Sequence, residues 1–251
     1  MVSIAVLDVK TRQLHICSYN IHKGFGAGNR RFLLEDMRTA IRSADADICF
    51  LQEVVGHRLG YRHANTESQF EFLADSIWTH YAYGKNAIVD DGHHGNAILS
   101  KYPFAHWENR DISRWRFSSR GLLLGRLEIG VNLICAHLGL LASERRYQVA
   151  QLEKLITERC DPDEPIIVAG DFNDWRMQAD KVLRGKLGFA EVIAEQSGRP
   201  ARSFPAILPL LRMDRIYYRG LQLEEARLMR GGVWSRLSDH AALTANFRLG
   251  G

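Results

Sequence analysis

The sequence predicts an α/β protein folded as one domain across residues 1–251. Three observations carry that expectation. Continuous apolar runs recur along the chain, as in Ile166-Ile167-Val168-Ala169, and read as strands buried on both faces. Between them lie stretches with apolar residues at helical spacing. The order falls into two similar halves, strands then a long helix then a strand, and neither a linker nor a low-complexity segment interrupts it. A chain of 251 residues is ample for one large core.

Composition narrows the class. Apolar residues make up 46% and charged residues 25%, the balance of an ordinary globular domain and not of a disordered or fibrous chain. The formal charge of +4 suits an anionic substrate without demanding one. Residues 1–8 lack a basic stretch followed by a long apolar core, so no signal peptide is expected. No apolar run approaches the ~18 residues of a transmembrane segment. Four scattered cysteines (Cys17, Cys49, Cys135, Cys160) show no zinc-ligand spacing and read as free buried thiols in a reducing cytoplasm, the expected location.

In chain order, residues 14–21 form a strand ending at Asn20, and 22–28 a glycine-rich loop that lacks the Gly-Lys-Ser/Thr ending of a phosphate-binding loop. Residues 30–42 place Phe32, Leu33, Met37, Ala40 and Ile41 on one helical face. A second buried strand, 47–54, ends in Gln52 and Glu53, and a carboxylate there is costly unless paired or metal-bound. A helix over 67–78 turns Phe70, Leu73, Ala74 and Ile77 inward. Residues 81–89 are strand-like, 90–95 a polar turn and 96–100 the next strand. His93 and His94 in that turn read as surface residues without a further ligand nearby.

Between 104 and 120 aromatic and basic residues interleave: Trp107, Arg110, Arg114, Trp115, Arg116, Phe117 and Arg120. Two readings fit them, a grip on phosphates and bases or a surface strand pair with snorkelling arginines. A hairpin follows over 121–127 and 131–136, leading to His137. A helix capped by Ser143 runs to 159 and buries Tyr147, Ala150, Leu152, Leu155 and Ile156. The strand at 166 then runs into Gly170-Asp171-Phe172-Asn173. Asp and Asn are ordinary turn formers. Two apart at a strand's carboxyl end, they also converge where α/β folds bind ligands. A helix over 177–187, a short strand over 189–193, a proline-rich loop over 197–209 and strands at 213–218, 221–229 and 242–247 complete the chain.

The polar groups that end or flank strands are Asn20, Glu53, Asn96, His137, Asp171, Asn173, Asp214, Asp239 and His240. No nucleophile elbow accompanies them. Carboxylates and amides are hard oxygen donors that suit Mg²⁺. A histidine with an acid partner suits a general base. Metal, base and amide donors together describe water attack on a phosphate ester.

Seven pieces in order, Ser18-Tyr19-Asn20-Ile21, Leu51-Gln52-Glu53-Val54, Gly95-Asn96-Ala97-Ile98-Leu99-Ser100, Ala136-His137-Leu138, Gly170-Asp171-Phe172-Asn173, Met213-Asp214-Arg215-Ile216 and Ser238-Asp239-His240, resemble the endonuclease/exonuclease/phosphatase superfamily of deoxyribonuclease I-like enzymes. The resemblance covers nearly the whole chain. It implies a four-layer α/β sandwich of two mixed β-sheets flanked by helices. It implies Mg²⁺, with Mn²⁺ as a substitute, at Glu53, Asn20 and Asp239. His137, Asp171, Asn173, Asp214 and His240 become the catalytic set, and Asn20, Asn96, Asn173 and His137 the phosphate contacts. His240 resembles the residue that activates water and Asp214 the acid that orients it, while Asp171 resembles the group that aligns the nucleophile. The roles of Asp171 and His240 are interchangeable at this level. His137 matches the deoxyribonuclease and sphingomyelinase type, whereas abasic endonucleases carry tyrosine there.

The implied partner is a phosphate ester: a phospholipid, a small phosphodiester or a nucleic acid. Two features favour a lipid or small diester. Residues 204–211, Phe-Pro-Ala-Ile-Leu-Pro-Leu-Leu, form an apolar, proline-broken loop running into Asp214, suited to an acyl chain or a peripheral membrane contact. The charge of +4 is also modest for binding duplex nucleic acid. Against this stand Arg110, Arg114, Arg116 and Arg120 with Trp115, a possible phosphate track. A non-catalytic binding protein on the same fold is the remaining alternative.

Overall fold

The structure, a computed structural model, describes residues 13–28, 31–58, 68–74, 77–89 and 92–250. Residues 1–8, Arg30, Glu67, Asp90 and Asp91, on which expectations above partly rest, lie outside the described residues. Twelve strands are described: β1 (Gln13–Asn20), β2 (Ile48–Arg58), β3 (His80–Val89), β4 (Gly92–Ser100), β5 (Phe104–Asp111), β6 (Gly121–Leu127), β7 (Asn132–His137), β8 (Ile166–Asp171), β9 (Ala190–Glu191), β10 (Asp214–Arg219), β11 (Gln222–Leu228) and β12 (Leu243–Arg248). The helices are α1 (Leu34–Ser43), α2 (Gln69–Ala74), α3 (Ala142–Arg159), α4 (Gln178–Leu183), α5 (Val192–Ser197) and α6 (Trp234–Leu237).

The strands form two six-stranded mixed sheets, ordered β11-β12-β1-β2-β4-β3 and β5-β6-β7-β8-β10-β9. Side-chain alternation explains the continuous apolar runs. In β8, Ile167 and Ala169 point into the core between the sheets. Ile166 and Val168 point to the opposite face, under the helix α3 residues Leu152, Leu155 and Ile156. In β2, Ile48 and Phe50 face the inter-sheet core, and Cys49 and Leu51 face the α1 residues Met37 and Ile41. Each fully buried aliphatic side chain contributes on the order of 1.5–3 kcal/mol. The result is the expected helix–sheet–sheet–helix sandwich.

Several boundaries differ from the sequence reading. Helix α1 starts at Leu34, because Phe32 bridges Phe25 across the preceding loop. Within the described residues α2 is only Gln69–Ala74. Residues 92–95 belong to β4, with His93 opposite His57 and His94 opposite Val55 on β2, so the expected turn there is a strand. Ser143 is not a cap: α3 begins one residue earlier, and Arg145 N–H donates to Leu141 O at 2.9 Å. Its buried face is Glu144, Arg145, Gln148, Val149, Leu152, Leu155 and Ile156, while Tyr147 and Ala150 are exposed. Polar residues at the inward positions disguised that stripe. Met177, in a left-handed conformation, precedes α4, which ends at Leu183. The strand expected over 189–193 is the two-residue β9, because Glu191 caps α5 by accepting from Ala194 N–H. Helix α6 had no signal in the pattern. All four cysteines are free and buried.

Candidate active site

The two sheets bring their strand ends together. In the second sheet, β8 pairs in parallel with β7 and antiparallel with β10, and the register aligns His137, Asp171 and Asp214 in one row. Gly170 makes this possible, since its φ is +144° and a Cβ there would meet Ala136 O at 1.9 Å. Asp171 N-terminally flanks Asn173, which donates its backbone N–H to Asp171 Oδ1 at 2.9 Å. From the first sheet, β1 ends at Asn20, whose Nδ2 donates to Asp171 Oδ2 at 3.2 Å and lies 3.4 Å from Glu53 Oε1. The segment entering β12 is pinned by Ser238 Oγ, which donates to Asn20 O at 2.7 Å and accepts from His240 N–H.

His240 crosses to the second sheet. Its Nδ1 lies 2.9 Å from Asp214 Oδ2, the pairing expected from sequence, and its Nε2 3.7 Å from Asp171 Oδ2. Phe204 packs its ring 4.8 Å from the His240 ring. His137 Nε2 is 3.6 Å from Asp171 Oδ2. Asp171 Oδ2 is therefore the meeting point of Asn20, Asn173, His137 and His240.

Glu53 is held differently. The β2–β4 register shifts between Leu51 and Val54, and Glu53 takes a φ of +56°. A residue with a Cβ pays about 1–2 kcal/mol for that conformation, and such strain gathers at functional sites. His22, Lys23 and Asn173 share the positive φ. Lys23 Nζ lies 3.6 Å from Glu53 Oε2, and His22 Nδ1 3.6 Å from Asp239 Oδ1.

Electrostatics separates the groups. Burial raises the Glu53 pKa, but His137, Lys23 and the Asn20 amide lower it further, to about 2. Burial and Arg120 push His137 down to about 3, so it is neutral at physiological pH, and Lys23 and Asn20 are what keep Glu53 ionised there. Burial lowers His240, but Asp214 and Asp171 outweigh it and raise the imidazole to about 10. Asp171 is raised, mainly by burial and also by Asp214, against the opposing pull of His240.

Two groupings could hold a metal. Glu53 and Asp239 keep 20% and 27% of their side chains exposed, with Asn20 beside Glu53, so hard oxygen donors with open edges fit a divalent cation. Asp171, Asp214 and His240 have ligand atoms within 4.8 Å of one another. There the imidazole is charged and bonded to Asp214, which suits proton handling better than ligation.

Two expected phosphate contacts are engaged otherwise. Asn96 is fully buried, and its Nδ2 donates to Gly121 O at 3.0 Å and Cys135 O at 3.3 Å, bridging the sheets. Asn173 Nδ2 donates to Leu138 O and Asp171 Oδ2, so its amide braces Asp171 from within. Conversely, His94 is no plain surface residue: burial and Lys23 lower its pKa, and Glu53 and Arg120 also act on it. Lys23 and Asp174 also escaped the sequence reading. Asp174 lies under the site, 3.5 Å from Arg215 and 3.9 Å from Arg145, all three buried. Arg145 also donates to Gly139 O and Leu140 O, clamping the β7–α3 loop. The arginine run does not act as one track. Arg110 pairs with Glu158 at 2.8 Å, Arg114 sits against Trp115 and Tyr147, and Arg120 alone of these reaches the His137 side.

Two sheets flanked by helices, with acids, amides and histidines converging on their adjoining ends, define a phosphoesterase-type α/β sandwich. Residues 17–240 match the Endonuclease/Exonuclease/phosphatase family, and the chain belongs to it. The family's members are generally divalent-metal-dependent hydrolases of phosphoric esters. The chain is 44% identical over 243 residues to the Escherichia coli K12 protein YbhP, covering 93% of this chain and 96% of that one. The fold is similar to an endonuclease/exonuclease/phosphatase from Beutenbergia cavernae, with a TM-score of 0.78 and 17% identity over 96% of this chain and 72% of that one. It is also similar to D. rerio TDP2 complexed with a single-strand DNA product, with a TM-score of 0.67 and 19% identity over 94% and 98% of the two chains.

Proposed function

We propose that this chain is a Mg²⁺-dependent phosphodiesterase acting on a lipid or small phosphodiester. The observation that carries the reaction class is Asp171 Oδ2, ringed by Asn20, Asn173, His137 and His240, with the partly open carboxylate of Glu53 linked to it through the Asn20 amide. Glu53, Asn20 and Asp239 would hold Mg²⁺, or Mn²⁺ in its place. When bound, the metal neutralises charge on the phosphate and polarises the phosphorus–oxygen bond.

The remaining roles fall to the chain's own groups. Asp171, a carboxylate with a raised proton affinity, takes the proton from the attacking water. His240, kept charged by Asp214, is unavailable as a base and instead places a cation beside the developing oxyanion. Of the two roles that sequence left interchangeable, the electrostatics favour Asp171 as the base. Neutral His137 and the nearby Arg120 supply donors to the phosphate from the other side.

The lipid reading rests on the 204–211 loop. Ile207, Leu208 and Leu210 are 72%, 66% and 55% exposed, while Phe204 contacts His240 and Ala206 N–H donates to Asp239 O. An apolar tip anchored to the site suits a lipid or a membrane surface. Among the described residues no helix is long and apolar enough to cross a membrane, so contact would be peripheral. The second reading is a nuclease: a fold relative holds single-strand DNA product, and exposed Trp115 and Phe117, stacked 6.3 Å apart, offer a base platform. Turnover of phospholipid vesicles, a chromogenic phosphodiester, plasmid DNA and single-stranded oligonucleotide in Mg²⁺ decides between them. Lipid or small-diester turnover is expected. Salt-sensitive DNA cleavage without lipid turnover overturns the reading.

A further inference from the structure

Beside the candidate active site lies a cleft of about 610 Å³, within the size range of small-molecule sites. It lies between residues 26–28 and 31–36 on one side and 232–237 on the other, with Ile207 on its wall. Short links join it to the catalytic groups. Leu237 precedes Asp239 by two residues, and Ala206, next to Ile207, donates its N–H to Asp239 O at 2.7 Å. Ala27 N–H donates to Arg236 O at 3.0 Å, fastening the loop that follows His22 and Lys23 to the opposite wall.

The lining indicates the class of ligand. Its apolar side chains, Leu33, Ile207, Val233 and Leu237, are all aliphatic, so no aromatic ring offers a base a stacking platform. Ile207 and Val233 leave 72% and 49% of their surface in water that an apolar ligand would displace. Arg31 and Arg236 also line the cleft and are exposed, and neither forms an ion pair among the described residues. One acid, Asp36, accompanies them. Nothing lies within 4 Å of a Cβ built on Gly28 or Gly232, so the space beside these glycines is open.

We propose that this cleft binds the aliphatic chain of an anionic amphiphile. Resting on the lipid phosphodiester reading above, the occupant is the lipid portion of the substrate, its chain along Leu33, Leu237, Val233 and Ile207 while its phosphate lies at the catalytic groups, and the positive field of Arg31 and Arg236 favours an anionic amphiphile. Aliphatic walls select the chain through burial, and the two guanidinium groups select against a neutral hydrocarbon.

Calorimetric titration of the Mg²⁺-loaded protein with butyl, octyl and dodecyl phosphate, each below its micelle concentration, tests this directly. Affinity is expected to rise with chain length, by roughly fourfold for each methylene that enters the cleft. Val233→Asn and Ile207→Asn, uncharged changes at exposed positions, should flatten that dependence. Chain-length-independent binding by the unaltered protein overturns the proposal, as does a dependence that survives both substitutions. The substrate reading fails separately: lipid diesters left intact while affinity still climbs with chain length would sink that reading and keep the cleft.

Discussion

The two strand ends that meet at the candidate site are built on opposite plans. On the second sheet, His137, Asp171 and Asp214 sit in register on adjacent strands and are 8%, 1% and 2% exposed. Ladder hydrogen bonds fix their backbones, and protein donors reach both oxygens of Asp171. On the first sheet, Glu53 sits on a register shift in left-handed backbone, beside two further positive-φ residues, His22 and Lys23. Its carboxylate and that of Asp239 keep an open edge. The contrast assigns a division of labour: a rigid, desolvated side that sets proton affinities, and a strained, solvent-facing side that can take a ligand ion. Low dielectric strengthens every charge on the first of these, and strain on the second is maintained by the surrounding fold.

The contrast breaks most sharply in kinetics. Asp171→Asn and Glu53→Gln should both keep the fold and lose activity, the first by about 10²- to 10⁴-fold as a lost base, the second by several kcal/mol as a lost metal ligand. Raising Mg²⁺ should recover part of the Glu53→Gln loss and none of the Asp171→Asn loss. Steady-state rates over a Mg²⁺ series check this, and equal rescue of both variants would abolish the division of labour.

The proton-setting side should also leave a mark on stability. His240 is raised from 6.5 to about 10 by Asp214 and Asp171. The folded state therefore binds this proton more tightly than the unfolded chain. The stabilisation is fully present below pH 6.5 and disappears as pH rises through about 10. In chelator, Asp214→Asn should cost on the order of a few kcal/mol near pH 6 and progressively less towards pH 10. Chemical denaturation at several pH values measures it. A pH-independent difference would mean that the pair is held by packing and not by charge.

The smallest effect concerns backbone alone. At position 53, glycine adopts the observed φ freely and alanine does not, so Glu53→Gly should be more stable than Glu53→Ala by about 1 kcal/mol. On the opposite side the order is the same for a different reason: Gly170→Ala should destabilise, because its Cβ would strike Ala136 O. Denaturation midpoints of the three variants provide the comparison.

Much of this was legible in the sequence, for one physical reason. A strand buried on both faces is a continuous apolar run, and a polar residue that ends it is visible against that background. Asn20, His137 and Asp171 stand out in this way; Glu53 reads as ending its strand, although β2 runs on to Arg58, and Asp214 as an acid near a strand's start, and the seven family pieces order them all. What stayed hidden lacks such contrast. Arg145 and Gln148 are not among the inward residues expected of α3, yet both are buried, held by Asp174, by loop carbonyls and by Gly139 N–H. His94 looked like part of a turn because Asp90-Asp91-Gly92 is turn chemistry, while pairing with β2 and β3 draws residues 92–95 into a strand. The left-handed conformation of Glu53 has no sequence signature, since tertiary packing imposes it on a residue that does not favour it. Asn96 is the reverse case, a residue whose family position suggested a ligand contact and whose Nδ2 joins the two sheets.

The bond from Ser238 Oγ to Asn20 O spans 218 residues of sequence, and β12 closes against β1. During synthesis the first sheet cannot complete itself until β12 has left the ribosome, because the edge of β1 has no other partner there. Until then His240 has no fixed place, Asp214 lacks its cation and Asp171 its neighbour. On the proposed reading, a growing chain that already carries Glu53, Asp171 and Asp214 would gain His240 as its last catalytic group only when β12 pairs with β1.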